Sequence, residues 1–193
     1  MRRLAGVATM RRMTATMPTT MSRDELAKLI AEASLLRGTF TLRSGKTSTY
    51  YLDKYLFSTQ PRVLAELGRM FAARVPMRTT RLAGAELGGI PLVSAASMAT
   101  GMPCLFIRNQ KKDYGTAKQL EGKLDRGDKV TIIEDVATTG GQALEAARVL
   151  REAGAEVLAI IATIDRLEGA RENIEKEGID FDALFTVRDL GVV

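Results

Sequence analysis

The sequence predicts an α/β protein, a parallel sheet flanked by helices, preceded by two short strands. Two observations carry this. Four apolar runs, Arg81 to Gly84, Cys104 to Ile107, Val130 to Glu134 and Val157 to Ile164, read as buried strands. Helical patterns fall between or after them, at about Pro91 to Thr100, Gly141 to Ala153 and Gly169 to Lys176. Strand, helix and strand repeated in this way require crossover connections, hence a parallel sheet with helices on both faces. In such sheets ligands sit at the carboxyl ends of the strands.

The elements before the alternation follow in order. Ser22-Arg-Asp-Glu25 is a capping box, followed by Leu26, Leu29, Ile30 and Ala33 at helical spacing, so a first helix is expected over about 24–37, stopped by Gly38. Thr39 to Leu42 and Thr49 to Leu52 read as two strands around the turn Ser44-Gly45-Lys46. Pro61 opens a second helix with the apolar face Val63, Leu64, Leu67, Met70 and Phe71, ending before Pro76. The length of 193 residues suits one domain. Residues 1–21 lack acids and periodicity and are expected to be a disordered leader, with Met17 or Met21 an alternative start, leaving 22–193 as the folded unit.

Composition removes whole classes of chemistry. There is no histidine, which excludes Ser-His and Cys-His nucleophile pairs, a histidine base and histidine-ligated metals. The single Cys104 allows no internal disulfide, sits in an apolar strand as a core residue, and fits a reducing cytoplasm. The formal charge is +5, but Arg2, Arg3, Arg11, Arg12 and Arg23 account for all of it; the rest of the chain balances against 23 acids. A nucleic-acid partner is therefore not expected. The uncharged apolar stretch from Ile90 to Cys104 is interrupted by Pro, Ser and Gly, so no membrane span is expected either.

The most informative segment is Val130-Thr-Ile-Ile-Glu134-Asp135-Val136-Ala137-Thr138-Thr139-Gly140-Gly141-Gln142. Glycines let backbone amides approach an anion, the following helix adds its N-terminal dipole, and two threonines add hydroxyl donors. Two adjacent acids before such a cradle suit ribose hydroxyls or a developing positive charge. Thr-Thr-Gly-Gly alone fits an ordinary helix start equally well; the complete pattern is more specific. It lacks the lysine of an ATPase phosphate loop and the spacing of a dinucleotide fingerprint.

The thirteen residues resemble the phosphoribosyl diphosphate signature of the type I phosphoribosyltransferases. Four further segments are similar to the orotate-using members: Phe40 to Asp53, Gly84 to Pro91, Arg108 to Gly115 and Ile164 to Gly169, in the right order. The resemblance implies a small N-terminal hood, mainly 22–60, on a catalytic core of about 61–193. It implies transfer of a phosphoribosyl group to orotate, through an oxocarbenium-like transition state and without a covalent nucleophile. Glu134, Asp135, Val136, Ala137, Thr138, Thr139, Gly140, Gly141 and Gln142 would bind phosphoribosyl diphosphate together with Arg108, Lys112 and Tyr114. Arg43, Tyr50, Tyr51, Thr138 and Arg166 would surround orotate, and Lys112 and Asp135 would be the catalytic pair. Mg²⁺ would come with the diphosphate and not from a protein-built metal site.

The resemblance also implies a homodimer in which the loop from Arg108 to about Arg126, expected to be a mobile lid, closes over the neighbour's site. Gly88 and Asn109 stand where the family often has Lys, Tyr114 where it has His, and Arg43 where it has Lys; Lys111 and Lys118 are nearby replacements for the missing cations. Two alternatives stay open: transfer to another base, and a phosphoribosyl diphosphate-sensing regulator that binds nucleic acid. The balanced charge of the folded part speaks against the second, Arg166 and the hood segment against the first.

Overall fold

The protein is described by a computed structural model covering residues 21–41, 45, 47–109 and 119–192. Helix α1, Arg23–Ser34, begins with the expected capping box: Glu25 N–H donates to Ser22 Oγ at 3.2 Å and Ser22 N–H to Glu25 Oε2 at 2.8 Å. It ends at Ser34, three residues before the predicted last helical position. Leu35 turns extended and opens strand β1, Leu35–Thr41, antiparallel to β2, Thr47–Leu52, with Leu35 opposite Leu52 and Arg37 opposite Tyr50. Local helical spacing favours continuing the helix, but the hairpin ladder claims these residues, and Asp53 N–H fixes the junction by donating to the Ser34 carbonyl at 2.9 Å. Gly38 therefore lies in a strand, at a register shift between Arg37 and Phe40, and does not terminate the helix. Met21, at the edge of the expected leader, packs against the core and donates its N–H to Glu66 at 3.3 Å.

A five-residue helix that the sequence reading omits, α2 at Lys54–Ser58, is capped by Asp53, whose Oδ1 accepts from Tyr55 N–H at 3.2 Å. Then come α3 (Pro61–Ala72), β3 (Arg81–Ala85), α4 (Gly89–Thr100), β4 (Cys104–Ile107), β5 (Leu120–Glu121), β6 (Lys129–Ala137), α5 (Gly141–Glu152), β7 (Glu156–Asp165), α6 (Ala170–Lys176) and β8 (Asp180–Thr186). Among the described residues β3 to β8 form one sheet in the order β5-β4-β3-β6-β7-β8, parallel except for β5. The short β5 pairs back onto β4 inside the segment read as one long loop.

Neighbouring residues of the central strand explain the two-sided burial. Ile133 packs with Ile30, Phe57, Leu67, Phe71 and Leu92 on the side of α1 to α4, whereas Ile132 packs with Ala147, Leu150 and Ile174 on the side of α5 and α6. Full burial of each such aliphatic side chain stabilises by about 1.5–3 kcal/mol. Among the described residues no helix is long and apolar enough to cross a membrane.

Candidate active site

The site lies at the carboxyl ends of β3, β6 and β7. Strand β6 runs three residues beyond the predicted end, because Glu134, Val136 and Ala137 pair with Ala162, Ile164 and Asp165 of β7. Both acids are thereby inside the strand and buried, Glu134 at 4% and Asp135 at 1% exposure. Their partners differ. Asp135 Oδ1 accepts from the Val136 N–H at 2.6 Å, and Oδ2 from Lys54 Nζ at 2.8 Å. Among the described residues Glu134 Oε2 has no hydrogen-bond partner. Burial, and then the neighbouring Asp135 carboxylate, push the Glu134 carboxyl well above the usual carboxylate range. Burial pulls on the Lys54 ammonium in the opposite direction, but the charge and hydrogen bond of Asp135 outweigh it and hold Lys54 above its ordinary value.

Beyond the acids, Thr138, Thr139 and Gly140 turn the chain into α5. Gly140 has φ +80°, and a Cβ there would press on Ile174 of α6 at 3.0 Å, so glycine serves both the turn and the packing. Asn173 of α6 holds the turn by donating to the Thr139 carbonyl at 2.9 Å. Among the described residues no side chain caps α5, so its first amides are left to a ligand or water. The Ala137 methyl is buried in the core and serves the site through its carbonyl, which accepts from Arg166 N–H at 2.9 Å.

That bond seats the turn after β7 beside the hood. Leu167, at φ 59°, is held by its N–H to Asp165 Oδ1 at 2.8 Å, and Arg166 projects towards β2. An Arg166 terminal nitrogen donates to the Tyr50 hydroxyl at 3.1 Å, with the guanidinium carbon 5.2 Å from the Tyr50 ring centre. Arg166 Nε stands 2.9 Å from Glu168 Oε1 yet makes no hydrogen bond with it, the alignment being poor. Tyr51 does not join them. Successive strand residues point to opposite faces, and its exposed ring packs at 5.7 Å from Phe40.

On the other flank, the β3–α4 loop meets the β4 end. Arg108 N–H donates to the Gln119 carbonyl and the Gln119 side-chain amide to the Arg108 carbonyl, both at 2.9 Å; Arg108 Nε is buried without a hydrogen-bond partner among the described residues, and Arg108 lines one small cavity with Gln142 and Asn109. Glu86 accepts from Asn109 N–H at 2.6 Å, and Gln142 donates to the Glu86 carbonyl at 3.4 Å. Any side chain at Gly88 would run into Asp135 Oδ2, so the backbone of this loop closes directly over the acid. A wider depression of about 390 Å³ lies elsewhere, along α5, where Arg148 is satisfied by Glu145 and Glu152.

The phosphoribosyl transferase domain family matches residues 64–185. The orotate phosphoribosyltransferase of Natronomonas pharaonis is 44% identical over 88% of this chain and 98% of its own length, and that of Pyrococcus horikoshii is 44% identical over 87% and 92%. The chain belongs to the orotate phosphoribosyltransferase family. Among solved structures, the orotate phosphoribosyltransferase of Mycobacterium tuberculosis in complex with Fe(III) dicitrate superposes with a TM-score of 0.79 at 33% identity, covering 88% of this chain and 99% of that one. The same enzyme in complex with 5-phospho-α-D-ribosyl 1-diphosphate gives 0.75 at 32% identity, covering 88% and 99%. An adenine phosphoribosyltransferase from Leishmania donovani, 18% identical with a TM-score of 0.65, shares the fold.

Of the residues predicted for the site, the structure brings together Glu134 to Gln142 with Arg108 on one flank and Tyr50 with Arg166 on the other. Arg43, Lys112 and Tyr114, with Lys111 and Lys118, lie outside the described residues. The sequence reading missed Lys54 and Glu86. Lys54 stands immediately after the quoted hood segment, and its only local signal is the Asp53 cap before it.

Proposed function

We propose that the chain transfers the 5-phosphoribosyl group of phosphoribosyl diphosphate to orotate, giving orotidine 5'-monophosphate and diphosphate. One observation carries the reading: a buried acid pair runs into an uncapped, glycine-turned helix start, with the Arg166–Tyr50 pair across the same sheet edge. The turn at Thr138 to Gly141 offers amides and hydroxyls to the 5-phosphate, and Asp135 offers acceptor lone pairs to a ribose hydroxyl. Glu134 Oε2, without a hydrogen-bond partner among the described residues, is left for a second hydroxyl. The Arg166 guanidinium suits the carboxylate or carbonyl edge of orotate, and Tyr50 supplies a ring for the pyrimidine.

As the C–N bond of the product forms and the C–O bond to diphosphate breaks, the ring nitrogen of orotate gives up its proton, which the leaving diphosphate can take; positive charge develops on the ribose beside these acids, and Arg108 would meet the diphosphate together with Lys112, which lies outside the described residues. Catalysis is then mostly positioning and charge stabilisation. Mg²⁺ would enter with the diphosphate, since such an ion takes most of its ligands as phosphate oxygens and water and Asp135 is already engaged by Lys54. Bound there, it would neutralise charge on the diphosphate. Orotate consumption that requires phosphoribosyl diphosphate and Mg²⁺ tests the assignment; equal use of adenine would move the function to another base.

The same reading includes a cytoplasmic homodimer with shared sites, in which Lys112 reaches the neighbour's diphosphate. Lys112→Ala and Asp135→Asn are each expected to be nearly inactive. Random exchange puts about half the chains in hybrid dimers with one intact site, so activity should recover towards roughly a quarter of wild type. Confirmed exchange without recovery would reject the shared site.

A further inference from the structure

Asp135 poses an electrostatic problem that the phosphoribosyl diphosphate reading sharpens. Its side chain is only 2% exposed, at a sheet edge meant for a ligand with several phosphate charges, and Glu134 is buried next to it. An uncancelled buried carboxylate is costly in itself and repels an incoming polyanion. The cation that answers it comes from the hood. Asp53 caps α2, Lys54 is the first residue of that helix, and its ammonium reaches Asp135 Oδ2 at 2.8 Å while its side chain stays 30% exposed. The backbone at Gly88 in the β3–α4 loop likewise leaves no room for a side chain beside the same oxygen.

We propose that Lys54 is a positioning residue for phosphoribosyl diphosphate: it clamps the Asp135 carboxylate between hood and β3–α4 loop and cancels its charge, so that the acid acts as a hydroxyl acceptor without repelling the phosphates. The inference deepens the proposed function and rests on that reading of the site. The chemistry is balanced within the pair. Each Asp135 oxygen already accepts one hydrogen bond and keeps a lone pair for a ribose hydroxyl, and the Lys54 ammonium keeps two further N–H donors. The elevated Lys54 ammonium accords with a permanent positive charge at this point.

The test uses the full chain with Lys54→Met, which keeps the stem and removes the charge, and Lys54→Arg, which keeps the charge. Phosphoribosyl diphosphate binding is measured by calorimetry without orotate, and the KM for orotate at saturating phosphoribosyl diphosphate. Lys54→Met is expected to weaken phosphoribosyl diphosphate binding about tenfold or more, the scale of one charge-assisted contact, with the orotate KM within about twofold of wild type. Lys54→Arg is expected to restore binding to within about threefold. Wild-type binding by Lys54→Met overturns the proposal. So does a joint loss of both affinities with a lowered melting temperature that Lys54→Arg leaves unrepaired, which makes Lys54 a packing residue. Wild-type protein that fails to bind phosphoribosyl diphosphate overturns the substrate reading and this inference with it.

Discussion

The two flanks of the site are built in different ways. The phosphate flank, Glu134 to Gln142, is one continuous stretch in which strand end, turn and helix start follow each other, so its geometry is local. The base flank joins Tyr50 of the hood to Arg166 after β7, residues far apart in the chain, through a single 3.1 Å hydrogen bond and a ring contact. A contiguous site carries its own backbone constraints. An assembled one depends on the β1–β2 hairpin being seated on the sheet, so damage to that hairpin, as distinct from α2 and its Lys54, should reach orotate first and phosphate later.

The largest effect that would break this contrast is Asp135→Asn. It removes the acid at the strand end and leaves the Lys54 ammonium half-buried without its partner. A fall in kcat/KM of about a hundredfold is expected, the upper range for a contact to a charged group. Steady-state rates check it, and an unchanged kcat/KM would remove Asp135 from the machinery. Arg166→Ala comes next, with at least about a tenfold loss in kcat/KM for orotate, while phosphoribosyl diphosphate binding in the absence of orotate stays close to wild type. Equal losses for both substrates would mean that the flanks are not separable.

A smaller effect sharpens the same contrast within the hood. Tyr50→Phe removes the hydroxyl that accepts from Arg166 and should raise the orotate KM about threefold to fivefold, within the range of an ordinary single hydrogen bond, since the guanidinium keeps its other donors for the ligand. Tyr51→Ala, on the opposite strand face, should leave it within about twofold. A larger loss at Tyr51 than at Tyr50 would invert the assignment that the strand geometry makes.

The contrast between flanks also explains what the sequence could convey. The phosphate flank was legible because its signals are adjacent: apolar strand, two acids, two hydroxyls and two glycines. Strand β4 has its predicted bounds, and β3 and β7 lie within one residue of theirs, since apolar runs flanked by polar residues mark buried strands well. β8 escaped because it starts Asp180-Phe-Asp182, with solvent-facing acids breaking the apolar run, and α2 because five residues are too few for a helical period. The end of α1 was misplaced where a long-range ladder overrode local spacing. Lys54 was invisible for the same reason, since a lysine after a capping aspartate reads as solvated until the fold brings Asp135 to it.

The smallest expected effect concerns how the hood is held to the core away from the site. Arg23, in the first turn of α1, pairs with Asp189 at 2.9 Å, donates to the Leu184 carbonyl at 3.1 Å, and lies 4.9 Å from the Phe185 ring centre. Asp189 also accepts from the Thr186 N–H at 2.7 Å, and its carboxyl is pulled down to about 2, first by the Arg23 hydrogen bond. An unfolded chain titrates such a group near 4, so as the pH falls the unfolded state takes up the proton first. The contribution is therefore complete above about pH 4 and is lost as the pH drops towards 2. Because Asp189 keeps some solvent contact, the gain at neutral pH is about 1 kcal/mol after screening. Melting curves of wild type and Asp189→Asn should differ by a few degrees at pH 7 and converge as the pH falls from about 4 to 2, with kcat/KM at pH 7 unchanged. A gap that stays constant across that window would mean that Asp189 contributes through its neutral hydrogen bonds to Thr186, and that the charge of Arg23 does not fasten the hood.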